Sequence, residues 1–304
     1  MKNQNWVNEY LKDFLSPREN NFRKSYDIKR KHMPSKIYKY RIINSYSKEC
    51  LSNQTVWCTT LDSYNDPYEG YINIEHFDIY KKKLLNYAKK LPQNLIKRIN
   101  ETDSENKLIE LFENEPELSK LKKLYFSDKN ITRTKIKEQI IKNQKSNKIC
   151  SFSALKPYSE SLNDDIYNRL MWAHYGSEHK GFCIEYETSQ CITDLYPVIY
   201  SSKMLDISDY FSAVTEHKNV TSMLPYYSLM CKDIVWKYEN EWRLIFINDE
   251  PNECSLKPSA LYFGAKMSAQ DKNTMKNIAK KINIPFFEII TEGNNYRLLK
   301  KQVF

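Results

Sequence analysis

Residues Trp236–Ile247 read WKYENEWRLIFI, the longest alternating run in the chain. As a strand it sets Trp236, Tyr238, Asn240, Trp242 and Leu244 on one face and Lys237, Glu239, Glu241 and Arg243 on the other, because successive strand side chains point to opposite sides. Glu239 and Glu241 then stand side by side, roughly 6.5–7 Å apart. At that spacing they can act on one ligand and perturb each other's proton affinity. The same pattern also describes a solvated face on which Lys237 and Arg243 balance the two glutamates.

Strand-like segments recur on both sides of this run. Lys36–Asn44 (KIYKYRIIN) alternates, with Lys39 and Arg41 on one face and Tyr38 and Tyr40 on the other. Thr55–Thr60 reads as a strand closed by the turn residues Asn65-Asp66-Pro67. Ile149–Ala154, Gly181–Glu187, Val198–Ser201 and Ser259–Phe263 follow, and Phe286–Thr291 with Tyr296–Val303 resembles a closing hairpin. Helical spacing marks an N-terminal segment (Trp6, Val7, Tyr10, Leu11, Phe14), short stretches at Lys48–Ser52, Asp165–Tyr175 and Leu224–Val235, and Ser268–Ile282, where Ser268 and Asp271 suit a helix start. Residues 76–148 turn helical throughout, on Leu84, Leu95, Ile99, Leu108, Leu111, Leu121 and Ile140, with breaks at Pro92 and Pro116 and no glycine. The expected fold is one α+β domain over residues 1–304, a split and mostly antiparallel sheet, with a lysine-rich helical insertion at residues 76–148.

Charge locates the same boundary. The chain has 304 residues and a formal charge of +9. Residues 81–148 hold 18 Lys+Arg against 9 Asp+Glu, which is the whole excess, whereas residues 149–250 carry 8 basic and 15 acidic side chains. A polyanion is expected at the insertion and repelled by the acidic stretch. Hydrophobic residues make up 41% and aromatics 13% of the chain, and the mean hydropathy is −0.70. No segment approaches the roughly 20 apolar residues of a membrane span, and Met1–Leu15 has no apolar leader region. A cytoplasmic protein without membrane contact is therefore expected. The seven cysteines, odd in number and without a CxxC pair, are expected as free thiols.

A second group of candidate residues lies in Met171–Gly176 (MWAHYG), just before His179-Lys180-Gly181. Trp172 and Tyr175 can stack on a flat ring, and His174 can donate a hydrogen bond or a proton. Alternatively the cluster is core at a helix end. His174 and His179 are five residues apart rather than the four of a zinc helix, and HExxH, GxSxG, Walker and GxGxxG patterns are absent from a chain with five glycines. No structural metal is expected. Asn65, Asp66 and Glu69, with Glu239 and Glu241, supply the oxygen ligands that a Mg²⁺ site would need.

In combination, KYRIIN (Lys39–Asn44), NDPYE (Asn65–Glu69), CSFS (Cys150–Ser153), MWAHYGSEHKGFCIEYE (Met171–Glu187) and WKYENEWRLI (Trp236–Ile245) resemble the bacterial family labelled domain of unknown function 2971. The resemblance covers both ends of the chain and skips the insertion. More distantly, an arginine on a first strand, Ser-x-Ser on a later one and Glu-x-Glu further on is similar to the arginine–serine–glutamate ADP-ribosyltransferases. That similarity implies NAD as a substrate. Arg41, with Tyr40 beside it, would hold the pyrophosphate; Ser151 and Ser153 would support the nicotinamide pocket, against which Trp172, His174 and Tyr175 would pack. Glu241 would hydrogen-bond the nicotinamide ribose, and Glu239 would deprotonate an acceptor. Asn65, Asp66, Glu69 and Arg243 are expected at the acceptor substrate.

The expected activity is thus ADP-ribosyl transfer to a macromolecule, protein or nucleic acid, with DNA or RNA held by residues 81–148. The kind of bacterial family resembled suggests a toxin or phage-defence effector, with a regulatory partner as a further expectation. Two alternatives stay open: a metal-dependent nuclease using Asp66, Glu69, Glu239 and Glu241, and a module that binds nucleic acid or protein without catalysis.

Overall fold

The alternating segments become strands of one sheet, and the glycine-free stretch becomes helices. The computed structural model describes residues 5–16, 19–73, 77–160, 165–206, 223–247 and 252–303. It opens with two helices, α1 (Asn5–Phe14) and α2 (Glu19–His32), where one was expected. Then come β1 (Lys36–Arg41), α3 (Ser45–Asn53), β2 (Thr55–Trp57), β3 (Thr59–Thr60) and β4 (Ile72–Asn73). Asn44 caps α3, accepting from the Ser47 amide while the Ser47 hydroxyl accepts from the Asn44 amide, so the first turn's orphan donors are satisfied reciprocally. The expected strand Thr55–Thr60 breaks at Cys58, whose amide donates to the Asn252 carbonyl at 2.6 Å.

The insertion consists of α4 (Phe77–Tyr87), α5 (Gln93–Glu101), α6 (Glu105–Asn114) and α7 (Ser119–Ser146). His76, the expected first residue of the insertion, lies outside the described residues. These helices bury Leu84, Leu95, Ile99, Leu108, Leu118 and Tyr125 in a core of their own, which explains why the apolar residues there keep helical spacing.

After α7 the chain runs directly into β5 (Lys148–Ser153), then α8 (Asp165–Tyr175), β6 (Phe182–Glu187), β7 (Leu195–Pro197), β8 (Ile199–Ser201) and β9 (Leu205–Asp206). The described part resumes with α9 (Leu224–Met230), β10 (Cys231–Asp233), a 3-10 turn (Ile234–Glu239) and β11 (Glu241–Phe246). β12 (Glu253–Ser255), β13 (Pro258–Phe263), α10 (Ala269–Lys281), β14 (Phe286–Thr291) and β15 (Leu298–Gln302) complete it.

Trp236–Ile247 is therefore not one strand. Its first half is a 3-10 turn, and Asn240, with φ 45° and ψ 56°, carries the chain from that turn into β11. Asn tolerates this left-handed conformation better than most residues do. Likewise the expected helix at Leu224–Val235 stops at Met230, and β10 occupies part of it.

The large sheet has the order β15-β14-β13-β6-β1-β5-β11-β7, with β3 added to β5. Within it, β13 and β14 are parallel, and the other pairings are antiparallel. The expected split is a seam rather than a break. The sheet is continuous, but β1 and β5 are joined only at Tyr38↔Ser153, although β1 pairs with β6 along six residues. At its other end β5 gives Lys148 and Ile149 to β3. Cys150, Ser151 and Phe152 thus face a gap in mid-sheet. Lys39 bridges that gap, its ammonium donating to the Ser151 carbonyl at 2.9 Å.

The main core, built on Ile37, Phe152, Phe182, Leu195, Trp242, Leu244 and Phe263, covers one face of the sheet. A second cluster holds Tyr38, Tyr40, Met171, Trp172 and Tyr262. Gly181 shows why small residues punctuate this region: a Cβ there would lie 2.2 Å from the Arg41 carbonyl oxygen and 2.9 Å from that of Gly176. Between them, Ser177, Glu178 and His179 are all left-handed, with φ of 49°, 53° and 71°.

Candidate active site

Where β1 and β5 part, a cleft of about 500 Å³ opens, within the usual range for small-molecule sites. Lys39 and Arg41 line it from β1, Ser151 and Ser153 from β5, Tyr64 and Asn65 from the loop after β3, His174 and Tyr175 from α8, Lys232 from β10, and Glu239 and Glu241 from either side of Asn240. Five separate stretches of the sequence meet around the neighbouring strands β1, β5 and β11.

The cleft floor is an ion network. The buried Lys232 ammonium lies 2.6 Å from Glu239, 3.0 Å from Glu241 and 3.3 Å from Glu69. Below it Arg243, 0% exposed, donates through Nε to Glu241 Oε1 at 2.8 Å, through Nη2 to both Glu69 oxygens at 2.9 and 3.0 Å, and through Nη1 to the Leu229 carbonyl. Three carboxylates face two cations, which leaves one net negative charge when all are ionised. Buried charges persist only when paired in this way.

The two glutamates are pushed in opposite directions. Burial disfavours ionisation of Glu241, but the Arg243 and Lys232 charges outweigh it and hold the carboxyl far below the usual carboxylate range. For Glu239 burial wins, helped by the Glu241 charge, and its carboxyl titrates above that range. The Tyr175 phenol donates to Glu239 Oε1. Ser153 fixes the backbone there, its hydroxyl donating to the Glu239 carbonyl at 2.6 Å and accepting from the Leu155 amide. On the β5 side, the Tyr64 and Ser151 hydroxyls are 2.8 Å apart, and the Ser151 hydroxyl adds to the lowering of the Glu241 carboxyl. The Glu241 amide donates to the Tyr200 hydroxyl.

The opposite wall is cationic. Burial lowers the Lys39 ammonium, and the neighbouring Arg41 charge lowers it further. Arg41 forms no ion pair among the described residues. Next to them Cys150 is buried, yet the Cys58 thiol and the Lys39 and Arg41 charges bring the Cys150 thiol down to about 6. All seven cysteines are free.

Several expected site residues take other places. Trp172 is core: it is 0% exposed, its indole donates to the Pro157 carbonyl at 2.8 Å, and its ring meets Tyr40 edge-on. Tyr40 borders the cleft but is 7% exposed among the same core side chains. Arg243 and Glu69 lie beneath the floor, so neither is presented to a macromolecule. Asp66 accepts from the Trp236 indole and the Tyr68 amide. The oxygen ligands weighed for Mg²⁺ do converge, at Glu69, Glu239 and Glu241, but around the Lys232 ammonium; among the described residues no group of His, Cys, Asp and Glu is placed to hold a metal ion.

Lys232 itself escaped sequence reading because it falls in a stretch that reads as a helix, where a lysine means solvent. The available signal was the acidic surplus of residues 149–250: carboxylates buried there require a cation, and few are on offer.

Fold and cleft together define an α+β protein with a polar, charge-paired site at a seam in its sheet. The family described as "Protein of unknown function (DUF2971)" matches residues 171–244. That segment holds His174, Tyr175, Lys232, Glu239, Glu241 and Arg243, whereas Arg41, Asn65, Ser151 and Ser153 lie outside it. No curated protein and no solved structure matches the chain. Among the described residues no helix is long and apolar enough to cross a membrane.

Proposed function

We propose that this protein transfers ADP-ribose from NAD to a macromolecular acceptor. One observation carries the reading: Arg41, Ser151 and Glu241, on the adjacent strands β1, β5 and β11, line a single cleft with a cationic and an anionic side. A guanidinium pairs with phosphate oxygens bidentately, so Arg41 takes the pyrophosphate. Glu241, held ionised by Lys232 and Arg243, faces the nicotinamide ribose. His174 and Tyr175 border the nicotinamide ring.

In the reaction the bond between ribose C1′ and the nicotinamide nitrogen breaks, and its electron pair leaves with neutral nicotinamide. The positive charge that grows on the ribose appears only in the transition state, where a fixed carboxylate is most effective. The acceptor nucleophile bonds to C1′ and gives its proton to Glu239, whose raised proton affinity suits a general base.

The test is to incubate the full chain with NAD labelled separately in the nicotinamide and ADP-ribose parts, together with lysate protein, RNA and DNA. Nicotinamide release and label transfer are expected, and both should fall with Glu241→Gln. Absence of both with every acceptor overturns the reading.

A further inference from the structure

The basic excess is concentrated on one element. α7 carries nine Lys and Arg against two Asp and Glu, and its 28 residues make a rod about 42 Å long at 1.5 Å per residue. Lys120, Lys123, Lys135, Lys137, Lys142 and Lys145 are all exposed along it. The rod ends at the candidate site, since α7 continues into β5, which carries Ser151 and Ser153. In its last turns, Gln144 donates to the Glu69 carbonyl at 3.1 Å. Lys137, two turns earlier, lies on the same face as Gln144.

The turn that Gln144 holds presents an unusual surface. Tyr68 is 65% exposed and Tyr71 48%, their ring centroids 6.4 Å apart at an interplanar angle of 69°. They meet edge-on, and no other described ring or cation packs against either of them. Asn65, three residues before Tyr68, lines the cleft, and Glu69 between the two tyrosines reaches its floor. The turn that carries the two tyrosines therefore touches the basic rod through Glu69 and the cleft through Asn65 and Glu69.

We infer that α7 and the Tyr68–Tyr71 turn form a docking surface for single-stranded nucleic acid. Lysines along a helix track a phosphate backbone, and exposed aromatic rings stack bases irrespective of sequence. An acidic protein would use the lysines but has no need of the rings, and a duplex keeps its bases stacked internally. Taken with the proposed ADP-ribosyl transfer, on which this last step rests, the surface names the acceptor: a strand lying along α7 delivers a base, whose ring or exocyclic N–H nitrogen bonds to ribose C1′ and gives its proton to Glu239.

The experiment uses the full chain, fluorescently labelled single-stranded DNA and RNA oligonucleotides, the matched duplex and polyglutamate, with binding followed by anisotropy over a salt series. Single strands are expected to bind more tightly than duplex or polyglutamate. Combining Tyr68→Ala with Tyr71→Ala should weaken single-strand binding about tenfold or more, and Tyr68→Phe with Tyr71→Phe should retain it. Combining Lys137→Glu, Lys142→Glu and Lys145→Glu should reduce the slope of log affinity against log salt by about two. Nicotinamide release without acceptor, measured on the same variants, is expected to be unchanged and reports on the NAD reading separately. Single-strand binding without NAD turnover supports the surface while the NAD reading falls. Absence of single-strand binding at low salt, binding indifferent to both tyrosines, or preference for polyglutamate overturns the surface.

Discussion

The phenol of Tyr175 donates to the carboxylate of Glu239 across 64 residues of sequence, and this hydrogen bond ties the start of the family-matched segment to its end. It makes α8 part of the site rather than mere packing. The neighbouring Trp172 anchors that helix through the Pro157 carbonyl, so Tyr175 is aimed by a rigid core.

Replacing Tyr175 with Phe removes a donor that favours ionised Glu239. The carboxyl already titrates above its usual range and should rise further, because a hydrogen bond to a charged group is worth about 1.5–3 kcal/mol. The acid limb of nicotinamide release should move upward by about one pH unit or more, as read from a rate–pH profile. An unmoved limb counts against Glu239 as the base.

Lys232→Met leaves Glu69, Glu239 and Glu241 with Arg243 alone. Breaking a buried charge network by removing one partner costs ~3–5 kcal/mol, measurable by denaturant unfolding. Adding Glu239→Gln should restore part of that loss, since it removes one of the uncompensated charges. If the double variant is no more stable than Lys232→Met, the network is not organised around this pair.

Asn240 is the joint that turns Glu239 and Glu241 into one cleft. Asn240→Gly should be nearly neutral, because glycine accepts positive φ freely. Asn240→Val should cost ~1–2 kcal/mol and abolish activity beyond what the stability loss explains. Equal melting temperatures for the two variants would contradict the left-handed joint.

Lys29 on α2 supplies a pH test away from the site. It is buried, with its ammonium donating to the Thr193 carbonyl at 2.9 Å and lying over the Tyr196 ring. Burial lowers its titration to about 8 from 10.5, against the opposing Asp194 charge. Between those values the unfolded chain binds a proton that the folded one does not, so Lys29 contributes stability that increases as pH rises through this window. Relative to Lys29→Met, the wild type should gain stability from about pH 8 upward in thermal melts. A constant difference between the two proteins would contradict it.

Much of the sheet was legible because its strands are runs of apolar and aromatic residues bounded by turns: β1, β5, β6 and the β14–β15 pair fall where those runs place them, although β1 and β6 pack on both faces. The insertion was legible for the complementary reason, helical spacing around a private core. Trp236–Asn240 misled because a 3-10 turn followed by one left-handed residue can carry the same alternation as a strand. Lys232 was hidden since a lysine's partners are set by tertiary contacts that local pattern does not encode. The β1–β5 seam was equally invisible, because loss of pairing between strands over 100 residues apart leaves no local signature. Within the site, Arg41, Ser151, His174, Tyr175, Glu239 and Glu241 share the cleft, while Trp172, Glu69 and Arg243 are the polar or aromatic residues that folding itself consumed.

The single pair Tyr38↔Ser153 also gives the sheet two inner edges that ordinary proteins keep only at their outside. Unpaired edges recruit foreign strands, and here Lys39 plugs them with an ammonium rather than an amide. Amides along Cys150–Phe152 on this side should therefore exchange with solvent by local parting of the halves, without global unfolding. A molecule lodged in the cleft would act as a clasp across that parting, slowing exchange in strands it never touches.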